Sequence, residues 1–230
     1  MEKVVVGIDF GSTGSGFAYA FKDIQNDIIL GQIYGANFDK KIPTEIILDD
    51  SDNIISFGAE CKNYLIKYGL RQHHYFKEIK RQLYKKTATI QSYNSEKNFP
   101  LELIIQRFLE ELKYLAISQI KLLNPHIHNN NIKYVVAIPA IWEDFQKNIM
   151  MKACINAGLT QEEDDKSLFF SLESEAALYY WFNNKNIDQD FIKKGSYYII
   201  CDLGGEGSNI MKYLFGVEEN ENEINEKFDI

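Results

Sequence analysis

Two short segments carry an aspartate at the end of an apolar run, followed by closely spaced glycines. They are Asp9-Phe10-Gly11-Ser12-Thr13-Gly14 and Asp202-Leu203-Gly204-Gly205-Glu206-Gly207. Glycine-rich turns let backbone N–H groups approach a phosphate without a Cβ in the way. Carboxylates at strand ends suit a hydrated magnesium ion, which keeps several waters and takes one or two protein oxygens. The two segments therefore predict a phosphate and magnesium site.

The flanks of the two segments share one template. The stretches 5–11 and 198–204 both place Asp-x-Gly at the end of an apolar strand, which indicates a duplicated unit. The first turn is not a Walker A loop, because no Gly-Lys-Ser/Thr follows it. It is not a dinucleotide-binding fingerprint either, because the next segment, 17–21, is an aromatic, β-prone run instead of a helix. We predict a phosphate loop that joins two strands.

The elements that must position these loops follow from apolar periodicity. Strands are predicted at 4–10, 17–21, 28–34 and 46–48, so the chain begins as a β-meander. After Pro100, apolar residues at helical spacing predict a long amphipathic helix ending near Asn124-Pro125. Strands at 134–138, 168–172 and 197–201 then alternate with helices at 143–157 and from Ser174 onward. The pattern predicts the α/β class.

The composition of the chain argues against several kinds of function. The 230 residues are 45% apolar and 25% charged, as in a globular protein of one or two domains. The net charge of -8 argues against sequence-independent binding of nucleic acid. The three cysteines are far apart and form no CxxC pair, so neither a disulfide framework nor a zinc site is expected. No apolar stretch is long enough to span a membrane, and we expect a cytoplasmic location without a membrane partner.

Four segments in order resemble the ATPase domain of the heat-shock 70 kDa chaperone family. They are Val6-Gly7-Ile8-Asp9-Phe10-Gly11-Ser12-Thr13, Val136-Ala137-Ile138-Pro139-Ala140-Ile141-Trp142, Ala157-Gly158-Leu159 and Leu172-Glu173-Ser174-Glu175-Ala176-Ala177. The family lies in the actin/hexokinase-like superfamily, and the likeness is greatest to the divergent heat shock 70 kDa protein 12-like branch. The combination of four ordered segments is more specific than any one of them.

The resemblance implies a ribonuclease-H-like actin/hexokinase ATPase fold. It implies a first lobe at 1–190, with a mixed five-stranded sheet and helices. The core of this lobe would comprise 1–36 and 115–190, with an inserted subdomain at about 37–114. Residues 191–230 would be the opening strands of a second lobe that this chain does not complete.

The resemblance also implies roles for the two loops. Asp9 would bind magnesium and, with the backbone of Gly11, Ser12, Thr13 and Gly14, would form the first phosphate loop. Asp202 would be a second metal ligand and a catalytic residue. The rest of the second loop would be formed by Gly204, Gly205, Glu206 and Gly207. The expected cofactors are ATP or ADP and Mg²⁺.

Two further catalytic residues come from the resemblance. Glu173 matches the family glutamate that helps to place magnesium and the attacking water. Lys80, in Ile79-Lys80-Arg81-Gln82-Leu83, is placed at the catalytic lysine, whose charge would stabilise the transferring phosphoryl group. The neighbouring Lys77, Arg81 and Lys85 offer alternative registers for this lysine.

The second loop departs from the family pattern. Glu206, Gly207 and Asn209 stand where the family continues with a third glycine, a threonine and an aspartate, and Glu206 brings negative charge toward the phosphates. We expect ATP binding with slow Mg²⁺-dependent hydrolysis in a chaperone-type domain. An active domain would be an ATPase, and this fragment alone is not expected to be one. A non-hydrolysing regulatory scaffold and a small-molecule kinase of the same superfamily stay open. Co-chaperones or client proteins would bind through parts not present in this chain.

Overall fold

The computed structural model describes residues 4–22, 28–32, 41–69, 73–161, 166–182, 195–203 and 208–214. The chain divides into two compact units, Met1–Phe170 and Ser171–Ile230. The strands are β1 Val4–Asp9, β2 Gly14–Phe21, β3 Ile29–Leu30, β4 Ile42–Pro43, β5 Ile46–Leu48, β6 Ile54–Phe57, β7 His74–Phe76, β8 Thr89–Gln91, β9 Asn98–Pro100, β10 Ile132–Ile138, β11 Leu168–Leu172, β12 Tyr197–Leu203 and β13 Ser208–Leu214. The helices are α1 Glu60–Tyr68, α2 Ile79–Tyr84, α3 Leu101–Leu123, α4 Asp144–Asn156 and α5 Glu173–Phe182, with a short 3-10 helix at Asn129–Asn131.

The main sheet is mixed, as predicted. Its strand order is β11-β10-β1-β2-β3, and β4 also pairs with β2. β1 runs parallel to β10, with Asp9 beside Ala137, and antiparallel to β2, with Asp9 beside Gly16. The carboxyl ends of β1 and β10 therefore meet at one edge of the sheet. This edge is where ligands bind in many sheets of this kind.

The long helix α3 covers the main sheet with its apolar face. The predicted helix is confirmed and ends one residue before Asn124. Its buried residues recur at helical spacing: Leu101, Ile104, Ile105, Phe108, Leu109, Leu112, Ala116 and Ile120. The ring of Phe108 lies 5.6 Å from that of Phe10, in an edge-to-face contact, and 4.6 Å from that of Phe57. The core thus reaches the first residue after Asp9.

A second, smaller sheet is formed by strands that lie between β4 and α3 in sequence. Its strand order is β6-β5-β7, and all three side chains of β5 are buried. Only β5 was predicted there, because short strands in a polar, Tyr-rich segment give little periodicity. Of the strand predicted at 28–34, only Ile29–Leu30 is confirmed, and residues 33 and 34 lie outside the described residues.

The second unit contains helix α5 and the antiparallel hairpin of β12 and β13. Asp202 pairs with Asn209 across this hairpin, as Asp9 pairs with Gly16 across β1 and β2. In both hairpins the aspartate thus faces the residue seven positions later. The shared register supports the predicted duplicated unit. The lobe boundary at 190/191 and the inserted subdomain at 37–114 stay predictions.

Candidate functional site

Asp9 and Phe10 fix the start of the first loop by pointing to opposite sides. Phe10 is fully buried against Phe108, while the Asp9 side chain is 41% exposed at the carboxyl end of β1. This alternation follows from the strand periodicity of two. The apolar anchor of the loop and its exposed carboxylate are therefore adjacent residues.

Gly11 is at a position that admits no side chain. A Cβ placed there would lie 2.2 Å from the carbonyl oxygen of Gly14, and no flexible side chain could move aside, because the obstructing atom is backbone. Glycine is therefore the residue type that this turn requires at position 11. This crowding explains why residue 11 is glycine, while the approach of its backbone to a phosphate stays a prediction.

Two buried hydroxyl groups fasten this turn, and sequence reasoning missed both of them. The Gly11 N–H donates to Ser15 Oγ at 3.2 Å, and the Thr44 hydroxyl donates to the Gly11 carbonyl at 2.8 Å. Ser15 Oγ and Thr44 Oγ1 lie 2.8 Å apart. Because the Thr44 hydrogen is used on Gly11, the Ser15 hydroxyl must be the donor to Thr44. The three groups form a closed ring of hydrogen bonds, which we call the hydroxyl ring.

Thr44 also holds the next part of the loop, because its N–H donates to the Thr13 carbonyl at 3.1 Å. Its position is set by β4, whose Pro43 pairs with Gly14 and whose Ile42 pairs with Ser15. A serine within an apolar strand was a possible signal for Ser15. Thr44 gave no such signal, since its role depends on a strand pairing 29 residues away from Ser15.

Lys41, immediately before β4, is a third residue that sequence reasoning missed. Its Nζ lies 2.6 Å from Asp9 Oδ2, and the two side chains are 59% and 41% exposed. Its Cβ and Cδ lie 3.6 and 3.8 Å from where a Cβ of Gly14 would be. The aliphatic stem of Lys41 thus crosses Gly14, and its ammonium group caps the Asp9 carboxylate.

Lys80, the predicted catalytic lysine, is buried although it belongs to a basic run. It is 3% exposed, and its Nζ lies 5.7 Å from the ring centroid of Trp142. The neighbouring Arg81 side chain is 53% exposed and pairs with Glu78 at 3.0 Å. Burial therefore distinguishes Lys80 from Arg81. The catalytic role of Lys80 itself stays a prediction.

Helix α2, which carries Lys80, is held against the segment after β10. The rings of Tyr84 and Trp142 lie 6.5 Å apart, and Lys86 Nζ lies 2.8 Å from Glu143 Oε2. Trp142 and Glu143 follow the carboxyl end of β10, the strand that runs parallel to β1. Lys80 and Asp9 therefore belong to segments that converge on the same edge of the main sheet.

The remaining predicted residues lie in the second unit. Glu173 is half-buried at the first position of α5, and the adjacent Ser174 is buried and hydrogen-bonded to the Tyr213 hydroxyl of β13. Helix α5 is thereby fastened to the hairpin. The backbone of Asp202 pairs with Asn209 near the end of β12. Four predicted residues, Gly204, Gly205, Glu206 and Gly207, lie outside the described residues.

The described residues offer few ligands for a magnesium ion. Among the described residues, no group of three His, Cys, Asp or Glu side chains could hold a metal ion by itself. Magnesium in nucleotide sites needs only one or two carboxylates, since phosphate oxygens and water complete its shell. The exposed Asp9 carboxylate beside a glycine turn fits that requirement in the first unit.

None of the described helices is both long and apolar enough to cross a membrane.

Sequence comparison finds relatives among curated proteins, although no protein-family profile matches the chain. The chain is 30% identical over 193 residues to mouse (Mus musculus) heat shock 70 kDa protein 12A and 29% identical to its human (Homo sapiens) counterpart. It is 28% identical over 189 residues to human heat shock 70 kDa protein 12B. The chain is thus similar to the heat shock 70 kDa proteins 12A and 12B. Each match covers 77% of this chain and 28% of the relative, so the chain spans under a third of these relatives.

Solved structures show which fold this chain has. Two structures of MreB5 of Spiroplasma citri, bound to ADP and to AMPPNP, match it with a TM-score of 0.53. Each match covers 94% of this chain and 50% of the MreB5 chain, at 11% and 12% identity. At this identity the likeness concerns the fold alone. The predicted actin-like fold is confirmed.

Proposed function

We propose that this chain is the front part of an ATP-binding domain of the chaperone type. The observation that carries the proposal is the turn from Gly11 to Gly14, held by the hydroxyl ring beside the exposed Asp9 carboxylate. A turn fixed before the ligand arrives loses little conformational freedom on binding. The MreB5 structures support the proposal, because proteins of this fold were solved with ADP and AMPPNP.

Within the loop, the residues have different tasks. The Gly11 N–H already donates to Ser15, so Gly11 gives the turn its shape. The donors to a phosphate would be the N–H groups and hydroxyls of Ser12 and Thr13 and the N–H of Gly14. Asp9 would hold magnesium, which when bound would neutralise part of the phosphate charge. Asp202, with the second loop, stays the predicted partner of Asp9 in this task.

For hydrolysis we propose Lys80 as the group that stabilises charge on the transferring phosphoryl group. Its burial supports this role, because an ammonium group in a water-poor setting interacts more strongly with a nearby anion than an exposed one. Its contact with Trp142 holds it on the edge where β1 and β10 end. Glu173 would place the attacking water. Slow hydrolysis, the chaperone role and a cytoplasmic location belong to this proposal.

Calorimetric titration of the full-length protein with Mg-ATP tests the binding claim. Asp9→Asn keeps the side chain's size but removes its charge, and we expect at least a tenfold weaker affinity, as for loss of one charged ligand (~1.5–3 kcal/mol). Asp144→Asn, an exposed carboxylate in the first turn of α4, is the matched control and should bind as the wild type does. Equal affinity in the Asp9 variant would refute the metal assignment. No heat from the wild type would end the proposal.

The same preparation separates hydrolysis from binding. Single-turnover phosphate release should fall by about 100-fold or more in Lys80→Met, the loss typical of removing one electrostatic group from a transition state. Its Mg-ATP affinity should change much less. A wild type that binds ATP but releases no phosphate would instead be the non-hydrolysing scaffold.

A further inference from the structure

The ion pair between Lys41 and Asp9 places a positive charge at the mouth of the proposed phosphate loop. The ammonium group lies 2.6 Å from Asp9 Oδ2, on the carboxylate that would hold magnesium. The Lys41 stem reaches it by crossing Gly14. Both partners of this ion pair are substantially exposed to incoming ligands, whereas Ser15 and Thr44, which also hold the loop, are buried.

The pairing of β4 with β2 fixes the position of Lys41 beside the loop. The strand pairs Pro43 with Gly14 and Ile42 with Ser15, and Thr44 is fastened to Gly11 and Thr13 by hydrogen bonds. The backbone on one side of Lys41 is therefore tied to the loop itself. The Lys41 backbone therefore stays near the turn whether or not the ammonium group pairs with Asp9.

The positive charge of Lys41 offsets the negative charge of Asp9 at the loop. A lone Asp9 carboxylate would repel a triphosphate, and Lys41 cancels that charge. Exposed ion pairs contribute little to stability, so the ammonium group can exchange Asp9 for a phosphate oxygen at small cost. A cation that binds Asp9 would have to compete with the ammonium group for the same oxygens, because like charges repel at this distance.

We propose that Lys41 is a phosphate-binding residue that lets this chain bind ATP without a divalent cation, and that it competes with such a cation for Asp9. The proposal rests on the proposed nucleotide-binding function and adds a second source of positive charge to it. In nucleotide-free protein Lys41 pairs with Asp9. When a triphosphate is bound, Lys41 turns to the phosphate oxygens and Asp9 becomes available to a cation.

Two titrations of the full-length protein test the proposal, and neither depends on hydrolysis. The first follows ATP binding in EDTA by calorimetry. The second follows binding of Mn²⁺ alone, a spectroscopic stand-in for Mg²⁺ that prefers the same oxygen ligands, by the electron paramagnetic resonance of free Mn²⁺. The variants are Lys41→Gln, Lys41→Arg and the control Lys97→Gln, which removes another exposed lysine from an ion pair, with Asp50.

In EDTA, Lys41→Gln should bind ATP about tenfold more weakly or worse, the effect of losing one charged hydrogen bond to phosphate. The same variant should bind Mn²⁺ more tightly than the wild type, because Asp9 has lost its competitor. Lys41→Arg should keep most of the metal-free affinity, since a guanidinium group also binds phosphate. Lys97→Gln should match the wild type in both titrations.

Failure of this inference can be distinguished from failure of the proposed function. A wild type that binds Mg-ATP but not ATP in EDTA would overturn this inference and leave the proposed function standing. Unchanged ATP and Mn²⁺ affinities in Lys41→Gln would do the same. A wild type that binds no nucleotide under either condition would overturn both. Because Lys41 is exposed, a matching circular dichroism spectrum of the variant is expected and excludes misfolding as the cause.

Discussion

The Thr44 hydroxyl offers a direct test of how the first loop is held. Thr44→Val keeps the shape of the side chain but removes the donor to the Gly11 carbonyl and the acceptor of the Ser15 hydroxyl. Each net hydrogen bond is worth about 1 kcal/mol, and leaving buried polar groups unpaired costs about 1–3 kcal/mol. Opening of the loop should therefore become easier by about 1–3 kcal/mol.

Hydrogen–deuterium exchange of the full-length protein measures this opening locally. In Thr44→Val, amides of residues 9–17 should exchange roughly 5- to 150-fold faster, the ratio that corresponds to that free-energy range. Ser15→Ala should behave similarly, because it removes the acceptor of the Gly11 N–H. The double variant should lose less than the sum of the two, since both changes break the same hydroxyl ring.

A matched control is Thr87→Val, which removes a threonine hydroxyl bonded to the carbonyls of Gln82 and Thr89 at 3.3 and 3.1 Å. It should leave exchange at residues 9–17 unchanged. The reasoning is refuted if Thr44→Val exchanges there like the wild type. Strictly additive effects of Thr44→Val and Ser15→Ala would refute the closed ring, even if each variant alone loosened the loop.

Two further predictions follow from the described contacts. Gly11→Ala should abolish measurable ATP binding in calorimetry, because its Cβ would meet the Gly14 carbonyl oxygen. The control Gly7→Ala, whose Cβ would have its nearest contact at 3.9 Å, should bind ATP normally. Normal binding by Gly11→Ala would show that the turn can relax. Burial raises the pKa of the Cys154 thiol to about 12 from 9.0, so at pH 9 alkylation followed by mass spectrometry should modify the exposed Cys201 and spare Cys154. The folded state holds the Cys154 proton more tightly, so this thiol's contribution to stability is present below pH 9 and is lost as the pH rises toward about 12. Equal labelling of both thiols in the native protein at pH 9 would contradict the burial of Cys154.

Much of the architecture was predictable because it is encoded locally. The apolar spacing in α3 marks the helix residue by residue, and the strand before Asp9 is a continuous apolar run. The glycines after Asp9 predict a tight turn, which the crowding at Gly11 confirms. Four segments in order resemble the heat-shock 70 kDa ATPase domain, and this resemblance was enough to predict the actin-like fold.

The sequence by itself therefore determined the fold class and the position of the Asp9 carboxylate at the end of a strand, followed by glycines. Only the tertiary structure decided what holds and faces the first loop. Thr44 reaches Gly11 across 33 residues, Lys41 reaches Asp9 through the pairing of β4 with β2, and Lys80 is buried by packing near Trp142. Each depends on which distant segments become neighbours, and hydrophobic periodicity reports the face a residue occupies and not its partner across the fold.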